Sequence, residues 1–255
     1  MSKVFGAIVA AALVVSARGG VLAAGPDAQA VIDKAIKALG GEAKLAALEG
    51  KPIETKAKGK VSIAGNEGEF TSRTVTVGLN RFRQELDIDL GGQQMKAVVV
   101  VDGNKGWRQF AGNGGQLQGN ELGNQKRAIY LATAPATILP LKGKDFKIES
   151  AKEEKVDNKP AVALKIAGPD KKEFTLYFDQ ASGLPLKLTA KVANFQGDEV
   201  TQDTTYSDFK DFDGVKRATK VDTKQDGEKF TEIKITDMKP LDKLDAKTFT
   251  EPAAE

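Results

Sequence analysis

The sequence predicts a mainly β protein of the α+β class: a single curved antiparallel sheet, or half-open β-barrel, with helices packed on the concave face. Three observations predict it. From Glu173 to Met238 the chain is a ladder of period-2 segments divided by turn signals, so each segment has one apolar face and one wet face. Along the whole chain the patterns run helix, strands, helix, strands, an order that suits one antiparallel sheet with helices gathered on one side. Composition is even and no Pro/Ser-rich linker divides the chain, so residues 25–255 read as one domain.

Ahead of that domain, Lys3 is a short basic segment, Val4 to Val15 is continuously apolar, and Val21-Leu22-Ala23-Ala24 offers cleavage after Ala23 or Ala24. Residues 1–24 are therefore expected to be a secretory signal peptide, since the apolar run is short of the ~20 residues a membrane span needs. This implies a periplasmic or otherwise exported protein, with no integral membrane segment once the signal is cleaved.

The elements follow in order. Val31, Ile32, Ala35, Ile36 and Leu39 form one stripe of a helix that begins at Asp27, where a carboxylate suits the helix dipole, and ends at Gly40-Gly41. A short helix over Glu42 to Leu48 comes next. Strands take over near Ile53, with Lys58–Ala64 and Glu69–Val77 flanking the turn Gly65-Asn66-Glu67-Gly68. Phe82, Gln84, Leu86, Ile88 and Leu90 alternate with charged residues and give the cleanest period-2 run. Met95–Val101 is more continuously apolar, as a central strand is. Ala111 to Gly123, rich in Gly, Asn and Gln, is expected to be an exposed loop. A further helix is expected over Leu122–Ala134, limited by Pro135, and Ile138–Leu141 is read as an apolar linker. Strands resume at Phe146 and continue through hairpins at Asp157-Asn158-Lys159 and Gly168-Pro169-Asp170. The tail, Leu241–Pro252, is expected to hold a short helical turn and an extended end.

Composition removes most chemistry. The chain has no His and no Cys. The commonest general base and metal ligand are absent, and with them Ser-His-Asp triads, thiol catalysis, structural zinc, haem attachment and iron–sulfur sites. No disulfide can help stability, which must come from the size of the core. The formal net charge is +3, falling close to neutrality once Lys3 and Arg18 leave with the signal. Charges of both signs are interspersed, so no nucleic-acid partner is expected.

The remaining motifs are weak. Ser207-Asp208-Phe209-Lys210 matches Ser-x-x-Lys without its companion motifs. Placing Asp211 and Asp213 in a calcium loop puts Phe209 at its first position and Lys220 at its twelfth, which breaks the ligand pattern. The glycines of Gly112–Gly123 lack the Gly-Lys-Ser/Thr ending of a phosphate loop. No cofactor and no catalytic residue are expected.

Several turn and corner motifs together resemble the outer-membrane lipoprotein-sorting superfamily, periplasmic carriers of the LolA/LolB type. They are Leu39-Gly40-Gly41, Asp102-Gly103 followed by Trp107, and Phe178-Asp179 followed by Ser182-Gly183-Leu184-Pro185. Tyr206 to Lys210 with Gly214-Val215, and the tail Leu244-Asp245, Phe249 and Pro252, complete the set. The resemblance implies a half-open antiparallel barrel closed by helices, with acyl chains held between. It implies a carrier for lipid or lipoprotein acyl chains, with envelope proteins as further partners. A monomer is expected.

The clean alternations nominate the cavity lining: Phe82, Leu86, Ile88, Phe174, Leu176, Phe178, Leu186 and Leu188. Trp107, the only Trp, follows a glycine turn and is placed at the cavity mouth. The competing reading is a solid core in which Val31–Leu39 and Ile129–Leu131 fill the concavity. Carrier is the first functional expectation, a non-catalytic envelope scaffold the second, and a carboxylate hydrolase the third.

Overall fold

A computed structural model describes residues 26–63 and 65–253; the expected signal peptide and its cleavage site lie outside the described residues. Two helices, α1 (Ala28–Leu39) and α2 (Glu42–Leu48), lead into six strands: β1 (Ile53–Ile63), β2 (Asn66–Val77), β3 (Arg81–Leu90), β4 (Gln93–Asp102), β5 (Lys105–Phe110) and β6 (Asn113–Gln116). The long helix α3 (Gly119–Thr137) and a 3-10 turn (Leu139–Lys142) follow. Seven more strands complete the chain: β7 (Lys147–Val156), β8 (Lys159–Ala167), β9 (Glu173–Asp179), β10 (Pro185–Ala193), β11 (Glu199–Phe212), β12 (Val215–Gln225) and β13 (Glu228–Pro240).

All thirteen strands form one antiparallel sheet in the order β6-β5-β4-β3-β2-β1-β13-β12-β11-β10-β9-β8-β7. Every neighbouring pair but one is a hairpin or near-sequential partner. The exception is β1 with β13, paired from Ile53↔Pro240 to Val61↔Thr231, which joins two meanders into one surface. The sheet is open, with β6 and β7 as edges, and curves around the helices.

Two boundaries differ from the sequence reading. Within Ala111–Gly123, Asn113–Gln116 pairs with β5 as a short edge strand, and α3 already begins at Gly119. Within that strand Gly114 is required by close packing, since a Cβ there would strike the Arg108 carbonyl. Pro135 does not end the helix, which continues to Thr137 before Ile138 turns left-handed at φ 62°. A proline in the last turn forfeits only one intrahelical bond, and its buried ring adds to the core.

The helices lie on one face over β7–β12. In α1, Ile32, Ala35, Ile36 and Leu39 point inward, with Asp27 capping the first turn through Gln29 N. The helix seats on two hairpins. A Cβ at Gly40, held at φ 130°, would collide with the Gly214 carbonyl, and one at Gly183 would meet the Lys34 side chain at 2.8 Å. Those glycines are why the turn motifs occur where they do.

Helix α3 spans between the two arms of the curved sheet. Lys126 Nζ donates to Asn104 Oδ1 at 2.7 Å, in the β4–β5 turn. The next residue, Arg127, is 3 % exposed and reaches the other arm. Its Nε donates to Lys191 O at 2.9 Å and its Nη2 to Glu173 O at 2.9 Å, while Nη1 contacts the Tyr130 hydroxyl and Asp170. Tyr130 donates in turn to Asp170 at 2.8 Å, and burial with that carboxylate beside it raises the phenol pKa well above its usual range.

Arg127→Ala should remove this strut. It removes the donor to two strand carbonyls and to Asp170, and the expected cost is about 2–4 kcal/mol, read as a lower denaturation midpoint in urea.

Candidate functional site: the inner face of the sheet

Strand register sorts the residues by face. One cross-strand row on the helix side runs Tyr206, Val221, Ile233, Gly59, Phe70, Ile88 and Met95. The next runs Ile235, Ala57, Ser72, Leu86, Ala97 and Phe110. From β13 to β5 such a row crosses about 24 Å at the usual strand spacing.

This inner face has two halves of different character. Over β8–β10 it is filled. Phe174, Leu176, Phe178, Leu188, Leu164 and Ile166 are all buried in one cluster with Ile32, Leu39, Leu45, Tyr130 and Leu131 of the helices. Tyr130, Phe146 and Phe174 pack edge-on or tilted at 5.8–6.3 Å between centroids. A second contact, Phe82 and Val101 against Ile129 and Leu122, seals α3 onto β3 and β4.

Over β13 and β1–β4 it is open. Val61, Phe70 and Ile88 form a cluster with Leu86, Met95, Ala97, Phe230 and Ile233, the last five only half-buried. Among the described residues no helical side chain joins it. Gly59 makes the floor possible: the Phe70 ring lies across it, 2.8 Å from where a Cβ would stand. The exposed large apolar side chains sit at the ends of this strip. Phe110 is 44 % exposed on its β5 side, and Phe195, 68 % exposed, touches Phe230 at 5.7 Å between ring centroids. A contiguous apolar strip left open in this way is a candidate binding surface.

Polar groups line the wall between the halves. Thr204 and Thr223 share a buried hydroxyl contact at 3.4 Å, and Thr219 donates to Asp208 O at 2.6 Å. Tyr206 is half-buried and closely ringed by protein; desolvation raises its phenol pKa well above the usual range. Arg217 is 7 % exposed and desolvation pushes its guanidinium pKa down to about 10, so it stays charged at neutral pH. Its Nη1 donates to Ala136 O, at the end of α3, at 2.5 Å.

The opposite face is charged. A groove of about 930 Å³ crosses it, lined by Lys58, Lys60, Glu69, Asp87, Lys220, Glu232 and Lys234 among others. Among the described residues no group of three or more Asp, Glu, His or Cys could hold a metal ion, and no helix is long and apolar enough to cross a membrane.

The nominated lining residues therefore divide. Leu86 and Ile88 lie on the open strip and Phe82 at its α3 border. Phe174, Leu176, Phe178 and Leu188 are on the same face but enclosed by helices, so they are core rather than lining. Leu186 is corrected outright: it sits in the β-bulge between Pro185 and Lys187 and joins none of the apolar clusters. Trp107 is also corrected. It pairs with Val100 on the outer face and packs with Val75, Val77, Leu241, Leu244 and Phe249 beneath the C-terminal tail. Arg81 stacks on Phe249 at 4.4 Å and Gln109 donates to Ala253 O, which hold that tail down. The strip residues Val61, Phe70, Met95, Phe110 and Ile233 were not singled out from sequence, although period 2 is visible around each.

This geometry can be compared with known structures. A LolA superfamily protein from Nitrosomonas europaea is similar over 88 % of this chain and 98 % of its own, with a TM-score of 0.56 at 16 % identity. The chain shares the fold of that protein. A DUF1329 family protein from Desulfovibrio piger shares it over 87 % of this chain and 96 % of its own, with a TM-score of 0.51 at 14 % identity. No protein-family profile and no curated protein sequence matches the chain. The expected half-open antiparallel architecture with helices on the concave face is what the structure has.

Two outcomes follow from the division of the inner face. Leu176→Ala, fully enclosed, should cost about 2–5 kcal/mol of stability, whereas Leu86→Ala on the open strip should cost markedly less, measured by urea unfolding. Trp107 fluorescence should report on the tail: truncation after Pro240 should red-shift its emission, and occupation of the inner strip should leave the emission wavelength unchanged.

Proposed function

We propose that the protein is an exported carrier that shelters the acyl chain of a lipid or lipoprotein on the open half of its inner face. The observation that carries this reading is the strip Val61, Phe70, Leu86, Ile88, Met95 and Ile233, apolar, on the helix side of the curved sheet and joined by no helical side chain among the described residues. An acyl chain gains ~0.8 kcal/mol per methylene it buries, so such a floor binds one without a catalytic group or metal. The LolA-superfamily fold and a sequence without His or Cys both agree with a binding role. Leu86→Glu and Met95→Glu each set a charge on the floor and should abolish displacement of a fluorescent fatty-acid probe while the far-UV spectrum stays unchanged. Native mass spectrometry of protein purified from the envelope should show co-purified lipid. A wild-type protein that carries none and releases no probe would sink the proposal.

The groove on the charged face supports a second reading, an envelope interaction module. Lys58 and Lys234 face each other across β1 and β13 and make no ion pair among the described residues. Lys58→Glu with Lys234→Glu would then impair the protein in the envelope without altering lipid binding.

A further inference from the structure

We infer that Arg217 is the head-group site of the inner face, and that the preferred ligand is an amphiphile with a single anionic head, a carboxylate or a phosphate. The inference rests on the carrier reading and adds the chemistry of the ligand's polar end. Arg217 lies on the inner side of β12, in register with Val215 and Thr219, and is more than nine-tenths buried. Its two hydrogen bonds, to Ala136 O and Lys216 O at 2.5 and 3.3 Å, both leave from Nη1 and both go to neutral carbonyls. Among the described residues it has no carboxylate partner, and Nε and Nη2 have no acceptor.

A guanidinium presents five donors in a planar fork, and a buried one without a counter-ion is costly. Capping α3 explains one edge of that fork. The free edge is the one that takes two oxygens of a carboxylate or phosphate side by side. Tyr206, whose hydroxyl likewise has no hydrogen-bond partner among the described residues, stands further along the same wall. From Arg217 the wall passes Thr219 and Val221 to Ile233, about 13 Å along β12 at ~3.3 Å per residue, and there meets the apolar strip. A polar head at Arg217 therefore leads its chain onto the open floor.

The test uses isothermal titration of the full mature chain with palmitate, hexadecyl phosphate, methyl palmitate and inorganic phosphate. The two anionic amphiphiles should bind at least about tenfold more tightly than the ester, consistent with one charge-assisted pair. Arg217→Gln should erase that preference while ester affinity is kept, and Arg217→Lys should restore part of it. Equal binding of ester and acid by wild type overturns the head-group site and leaves the carrier reading standing. Failure of all three amphiphiles overturns the carrier reading itself. Inorganic phosphate binding as tightly as hexadecyl phosphate would assign Arg217 to a free anion and overturn the amphiphile. Should Arg217→Gln not fold, the wild-type comparison of acid with ester still decides.

Discussion

The pairing of β1 with β13 is the constraint on which the rest of the structure depends. Every other ladder joins strands close in sequence, at little loop-closure cost. This one brings Ile53 beside Pro240 and must be stabilised by what it creates. What it creates is a continuous inner face. Ile233 and Phe230 come from one side of the seam, and Val61, Phe70, Leu86, Ile88 and Met95 from the other. Without it the two meanders would be separate sheets, each with an additional long edge open to unwanted pairing. The register of the seam shifts by one between Lys56 and Ala57, where Thr236 of β13 is the extra residue.

The inner face is half filled because the helices are seated over β7–β12, and α3 meets the other arm only at the Phe82 end of β3 and the Val101 end of β4. Helix α1 is seated on the β9–β10 and β11–β12 turns through Gly183 and Gly214, and Lys34 donates to Gln180 O at 2.6 Å. Helix α3 is tied to β9 and β10 through Arg127. Neither anchor lies on β1, β2 or β13. On those strands the inner positions include Ala57, Gly59, Gly68 and Ser72, residues too small to reach a helix above them. The floor there is built of these small residues with Phe70 and Ile233 lying beside Gly59, and no helical side chain among the described residues covers it.

Much of this was legible in the sequence, and the limits have physical causes. Alternation in Phe82–Leu90 and Phe174–Phe178 reports a sheet face directly, because side-chain direction has period 2, and the fold class followed from it. Alternation cannot say whether a helix lies over that face, since a core residue and a residue of the open strip have the same pattern. Phe174 and Ile88 therefore looked alike, although one is enclosed by α1 and α3 and the other is not. Leu186 was misjudged because a bulge interrupts the alternation that its neighbours Leu184 and Leu188 suggest. Trp107 was misjudged because the outer face also carries an apolar patch, and only the docking of Leu241, Leu244 and Phe249 explains it. Arg217 gave no local signal at all: among Lys216, Lys220 and Lys224 it reads as one more exposed cation, and only the approach of α3 buries it.

That last case bears on how such a fold becomes selective. An apolar floor alone discriminates ligands weakly, since each methylene adds a similar increment wherever it lies. Selectivity has to come from a polar group that is costly to leave unpaired. On the filled arm that requirement is already met: Arg127 has Asp170, Tyr130 and two carbonyls. At Arg217 it is met only on one edge. The two buried arginines thus mark two roles for the same chemistry. One is saturated by its own protein and fixes α3 to the sheet; the other bonds only neutral carbonyls, through Nη1 alone.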